Sequence, residues 1–164
     1  MALPENVKIR NATLRDLDAI VALWLAMMRE HERFDPRIRL ADKADNAYRQ
    51  YVHYYIAREE SVVLVAEHQR EVIGFCLACP ARNLPMFQPT QYGYLSDLTV
   101  GEPWRGRGIG SALLEAAKER FRTQGIVHIQ LQVYSRNAAG LAFWRKAGFQ
   151  EFVQGMRRES SLEC

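Results

Sequence analysis

Hydrophobic positions along this chain change period several times, and each change marks a predicted element. Val7-Lys8-Ile9-Arg10 alternates apolar and polar, the period of a half-buried strand. Thr13-Leu14-Arg15-Asp16 has capping-box spacing. Behind it, Leu17, Ile20, Val21, Trp24, Met27 and Met28 stand at helical spacing, and the helix ends near Arg33, ahead of Asp35-Pro36. A polar, basic connection with Arg37 and Arg39 leads to a second helix over 42–59, striped by Tyr48, Tyr51, Val52, Tyr55 and Ile56. The β-branched, apolar runs 61–68 and 71–79 flank Gln69-Arg70 and read as a hairpin. Residues 80–92 hold Pro80, Pro85 and Pro89 with Met86 and Phe87, a surface loop of a length that suggests function. A strand over 94–100 precedes a glycine-rich turn and a helix on Ile109, Leu113, Leu114, Ala117 and Phe121, ended by Gly125. Residues 127–134 read as a strand. Asn137 caps a short helix through Leu141, Phe143 and Trp144, closed by Gly148, and 149–158 offer one or two final strands.

The order β-α-α-β-β-β-α-β-α-β describes an α/β chain of α+β type, with one mixed sheet and helices on both faces. No linker, repeat or low-complexity tract interrupts it, so 1–164 reads as one domain. A net charge of +3, from 22 basic and 19 acidic residues in dispersed positions, gives no nucleic-acid footprint and no barrier to an anionic ligand. No window reaches ~18 apolar residues, so no membrane span is expected. The first residues lack the basic and apolar regions of a signal peptide, which predicts a cytoplasmic protein. Cys76 and Cys79 spell C-x-x-C inside a strand-like run, where i and i+3 point to opposite faces. With only Cys164 besides, no metal site is expected.

The run Arg105-Gly106-Arg107-Gly108-Ile109-Gly110, continuing into Ser111, carries the most chemistry. Glycines let main-chain N–H groups approach a ligand, and the N-terminus of the following helix adds partial positive charge. Strand, glycine turn and helix make a seat for a phosphate-bearing ligand. No lysine follows the glycines, which excludes a nucleotide P-loop. Ser111 stands where a dinucleotide fingerprint needs its third glycine, and the next strand has no terminal acid for a ribose.

Arg105-x-x-Gly108-x-Gly110, after a strand ending Leu98-Thr99-Val100, resembles the acyl-CoA pyrophosphate motif of the GNAT superfamily of N-acetyltransferases. Asn137-Ala138-Ala139-Gly140-Leu141-Ala142-Phe143-Trp144-Arg145-Lys146-Ala147-Gly148-Phe149 resembles that superfamily's second block, an Asn-led helix ending in Gly-Phe. The resemblance covers nearly the whole chain. It implies a GNAT-like fold and transfer of an acetyl group from acetyl-CoA to an amine. Backbone N–H groups from Arg105 to Ser111 (through Gly106, Arg107, Gly108, Ile109 and Gly110) would hold the pyrophosphate. The freed edge at Leu98, Thr99 and Val100 would pair with the pantetheine chain, with Asn137 against the same arm.

An alkylamine is reactive in only about 1 in 10³ molecules at neutral pH, ~4 kcal/mol of barrier, so a base is expected. A main-chain N–H of the parted strand would serve as oxyanion donor. Two departures from the family stand out. Trp144 occupies the place of a frequent Tyr acid, and its indole is a hydrogen-bond donor rather than a proton source, which makes it a wall against the thioester. Ser96 stands where the similar diamine acetyltransferases carry Glu. Asp97 beside it is the candidate base, on the opposite face by alternation unless a bulge intervenes, and otherwise a carboxylate orienting backbone. Tyr134 is the candidate surrogate acid. Glu30, His31, Glu32 and Asp35 fall where the family's substrate loop lies. The expected acceptor is a small-molecule primary amine. Transfer to a protein or peptide amine, or an acyl-CoA-binding module without turnover, are the rival readings. No nucleic-acid or membrane partner is expected, and a homodimer through the C-terminal strands is compatible with the pattern.

Overall fold

The computed structural model describes residues 3–158. Its elements are β1 (Val7–Asn11), α1 (Leu17–Phe34), α2 (Ala44–Ile56), β2 (Val62–His68), β3 (Glu71–Arg82), β4 (Gln91–Val100), α3 (Ile109–Thr123), β5 (Ile129–Leu131) and α4 (Ala138–Lys146). The five strands lie in sequence order, antiparallel from β1 to β4 and parallel between β4 and β5.

The apolar runs in β2 and β3 are continuous because both faces of the sheet are covered. Val62, Leu64 and Ala66, with Cys76 and Ala78, face α3, where they meet Ile109, Leu113, Leu114, Ala117 and Phe121. Val63 and Val65, with Phe75 and Leu77, face the other way onto Leu17, Ile20 and Val21 of α1 and Tyr48 and Val52 of α2. Cys76 is buried on the α3 face, while Cys79 lies within reach of Tyr55 on α2, so the two thiols are on opposite faces as the strand period requires. Cys164 lies outside the described residues.

The expected capping box forms. Thr13 N–H donates to Asp16 Oδ2 at 2.7 Å and opens a short 3-10 turn into α1. Asp16, only 6% exposed, also takes both terminal nitrogens of Arg10 at 2.8 Å. The hairpin turn is the two-residue one expected, with Gln69 and Arg70 at φ 50° and 71°.

Three expectations need correction. The loop 80–92 shrinks to residues 83–90, because β3 runs on to Arg82 and β4 begins at Gln91. Pro80 is tolerated there since pairing with β2 ends at Ala78, which leaves β3 an edge on that side. The strand expected over 127–134 is limited to Ile129–Leu131, since β4 turns away from it beyond that point. No strand forms over 149–158. Apolar residues there stand at 149, 152, 153 and 156, a spacing that gives neither face of a strand a continuous stripe, and Phe152, Val153 and Met156 are exposed. Among the described residues the order therefore ends at α4, not at a strand.

Candidate active site

The sheet opens between β4 and β5. β4 stays paired with β3 as far as Val100 opposite Gly74. Its parallel pairing with β5 stops at Leu95 opposite Leu131. From Ser96 to Val100 one edge of β4 is thus without a strand partner among the described residues.

A bulge sits where the opening begins. Leu77 is opposite Asp97 and Ala78 opposite Leu95, which leaves Ser96 as the extra residue. Strict alternation would put Leu95 and Asp97 on one face. Instead Leu95 joins the α3-side core, while Asp97, across from Leu77, turns toward α2. Ser96 Oγ donates to Asp97 Oδ2 at 2.7 Å, and Tyr51 Oη lies 3.2 Å from Ser96 Oγ. Tyr51 is 36% exposed, so this chain of groups leads outward from Asp97. Tyr48 Oη is buried and meets no partner in full hydrogen-bonding geometry, yet it is close enough to Asp97 to influence its ionisation. Burial pushes the Asp97 carboxyl above the usual aspartate range, and Ser96 and Tyr48 partly offset that. The Tyr48 hydroxyl is itself held well above the usual phenol range by burial and by Asp97.

The glycine turn follows β4 through a short 3-10 turn at Glu102–Trp104. Gly106 and Gly108 have φ of 75° and 82°, the left-handed region that side chains disfavour. A Cβ at Gly106 would meet nothing within 4 Å, so the turn is open above its backbone. A Cβ at Gly110 would stand 3.5 Å from Phe143 of α4 and 3.6 Å from Leu98 of β4, ordinary van der Waals contact, so the start of α3 packs close beneath both elements there. No side chain caps α3 and no acid stands in its first turn, so the N–H groups at its start have no side-chain acceptor there. Both arginines of the turn are held back along its rim. Arg105 donates from Nε to Val100 O at 2.9 Å and from Nη2 to Glu30 Oε1 at 2.8 Å. Arg107 stacks over Trp104 at 5.2 Å. Glu30 therefore ties α1 to the turn.

Across the opening, Tyr134 lies beyond the end of β5, 45% exposed, with its ring 5.0 Å from His31. His31 Nδ1 is buried without a hydrogen-bond partner, and burial lowers the imidazole pKa, which favours the neutral ring. Asn137 caps α4, accepting the Gly140 N–H at 2.8 Å. Trp144 packs edge-on against Phe143 and Phe149, at 4.8 and 5.3 Å.

Asp97 is thus brought together with Ser96, Tyr48 and Tyr51, and Tyr134 with His31. Asp35 is engaged by Arg37 through bonds of 2.8 and 2.6 Å. In the sequence Tyr51 is one member of the Tyr48, Tyr51 and Tyr55 stripe, with nothing that joins it to Ser96. The serine beside an aspartate in an otherwise apolar strand was the available signal.

A mixed sheet parted beside a glycine turn at a helix N-terminus defines an acyltransferase fold. The Acetyltransferase (GNAT) family profile matches residues 24–149, and the chain belongs to that family. It is 27% identical over 149 residues to an uncharacterized N-acetyltransferase of Methanocaldococcus jannaschii, covering 91% of this chain and 63% of the relative, so the chain spans less than two thirds of that protein. It is 30% identical over 146 residues to an L-methionine sulfoximine/L-methionine sulfone acetyltransferase of Pseudomonas aeruginosa, covering 88% and 81%. The BH1408 protein of Bacillus halodurans, solved as a tetramutant, superimposes with a TM-score of 0.83 at 26% identity, over 93% of this chain and 99% of that one.

Proposed function

We propose that this chain is an N-acetyltransferase that moves an acetyl group from acetyl-CoA to the primary amine of a small molecule, in a ternary complex. The observation that carries the reading is the coincidence of the β4 bulge, the end of β4–β5 pairing and the uncapped start of α3. The residues present fit the donor: the N–H groups from Arg105 to Ser111 suit the pyrophosphate, and the open edge at Leu98–Val100 suits the pantetheine amides. Asn137 at the start of α4 suits the same arm. The small acceptor is favoured by the Pseudomonas relative, whose named substrates are amino-acid analogues.

Bound acetyl-CoA supplies an activated thioester. Asp97 takes the ammonium proton, directly or through Ser96 and Tyr51, whose exposed hydroxyl ends the relay. The freed amine attacks the thioester carbonyl to form the C–N bond; the C–S bond then breaks, and the second proton lost by the nitrogen balances the one gained by the leaving sulfur, so the products are the amide and the free thiol. Tyr134 stands on the other side of the opening to return a proton to sulfur. Trp144 serves as an apolar wall rather than as an acid.

The test is acetyl-CoA binding and thiol release across polyamines, amino acids, aminoglycosides and peptides. Release with a small amine is expected. Gly108→Glu should abolish CoA binding without unfolding the protein, because it sets a bulky acid at the turn where the anion binds. Retained affinity in that variant would remove the turn from the site. CoA binding with no release for any amine would reduce the chain to a binding module.

A further inference from the structure

A pocket of about 500 Å³ is lined by Pro36, Arg37, Arg39 and Arg157. That volume suits a small molecule. The chain from α1 to α2 and the segment after α4, far apart in sequence, each bring arginine to it. Arg37 is braced by Asp35, which accepts from its side chain at 2.8 and 2.6 Å and from its backbone N–H at 3.1 Å. Arg39 and Arg157 form no ion pair with any described residue. Among the described residues no acidic side chain lines the pocket, and Asp35 stands behind it on Arg37. Like charges drawn to one concavity repel, and an anion between them relieves this, above all a planar carboxylate that matches the guanidinium fork.

The end of α1 connects the pocket to the residues that leave β5. The pocket begins two residues after α1 ends, and that end is where His31 meets Tyr134. One turn on, Phe34 O accepts from Arg136 Nη1 at 3.4 Å, and Arg136 also helps hold the Asp35 carboxyl far below its usual range, after Arg37 itself. The residues leaving β5 thus link the opening to the arginines.

We infer that this pocket binds a carboxylate of the acceptor, so that the acceptor is an amine that also carries a carboxylate, of the amino-acid class. The inference rests on the acetyltransferase reading for the word acceptor, while the anion site stands on the arginines alone. The other source of an anion near the site is the phosphate of the CoA molecule, and the experiment separates the two.

CoA-saturated protein is titrated calorimetrically with matched pairs: methionine and 3-methylthiopropylamine, phenylalanine and phenethylamine, lysine and cadaverine. In at least one pair the carboxylate-bearing member should bind tighter by about tenfold or more, the scale of a charge-assisted contact. The double variant R39Q/R157Q should erase that preference and leave CoA affinity unchanged. Equal binding within every pair overturns the inference, as does binding of no member. A variant that loses CoA affinity and keeps the preference also overturns it, assigning the arginines to the cofactor phosphate. Thiol release is followed in parallel. A carboxylate preference without any release would refute the enzymatic reading and leave the anion site standing.

Discussion

Replacing Asp97 by Asn separates chemistry from folding in one protein. Asn keeps the shape of the side chain and can still accept from Ser96, but it cannot take up a proton. An amine with pKa about 10.4 is neutral in roughly 1 in 10³ molecules at pH 7, and a positioned base typically recovers about 10²–10⁴ in rate. We therefore expect kcat to fall by about 10²-fold or more, with acetyl-CoA Kd within about threefold of wild type, since the groups that interact with Asp97 are Ser96 and Tyr48, not the glycine turn. The pH profile adds a second reading. Burial raises Asp97 above the ordinary 3.8, and the base works ionised, so the acid limb of kcat/KM lies at higher pH than an ordinary aspartate would give. That limb vanishes in D97N. Stability moves the other way. A carboxyl whose folded pKa is raised lowers stability once pH passes its unfolded pKa and it ionises, so D97N should leave Tm at neutral pH unchanged or higher. Thiol release, calorimetric Kd and thermal unfolding on the same samples decide the matter. A kcat within about threefold of wild type refutes the assignment, and a kcat loss accompanied by a fall in Tm would make Asp97 structural.

Other expectations concern stability and the donor site. Arg10 holds the Asp16 carboxyl down at about 2 from 3.8; its contribution is complete above about pH 4 and is lost as pH falls toward 2. Asp16→Asn should cost about 2 kcal/mol in urea unfolding at neutral pH, with the gap to wild type closing in acid, and equal midpoints at neutral pH would sink this. Gly93→Ala would place a Cβ 2.5–2.8 Å from the ring of Phe121, which is 0% exposed; a loss of about 2 kcal/mol and several degrees of Tm is expected, and an unchanged Tm would contradict it. Asn137→Ala removes the acceptor of the Gly140 N–H and should cost about 1 kcal/mol. A raised KM for acetyl-CoA in the same variant would mark contact with the pantetheine arm, and an unchanged KM would leave only the cap.

What could be read in the sequence depended on whether a feature is local. The capping box at Thr13, the Gln69-Arg70 turn, the amphipathic helices and the Asn137 cap are each set by neighbours along the chain, and each formed as spaced. The glycine turn was legible for the same reason: a backbone site needs absent side chains at set intervals, and absence leaves a pattern. The acceptor side is different. Ser96 and Asp97 share a face only because β3 and β4 slip by one residue, and nothing in the run Tyr94-Leu95-Ser96-Asp97-Leu98 dictates where that slip falls. Tyr51 reaches Ser96 across 45 residues of sequence, and Arg157 lines one pocket with Arg39 across far more. The failed final strand teaches the same rule from the other side, since 149–158 have strand-forming residues without strand spacing, and composition alone did not make them pair. A fold that holds one donor for many acceptors would show this division: the donor is gripped by backbone whose sequence signature is local, while the acceptor meets side chains assembled from distant elements, each free to change without disturbing the turn.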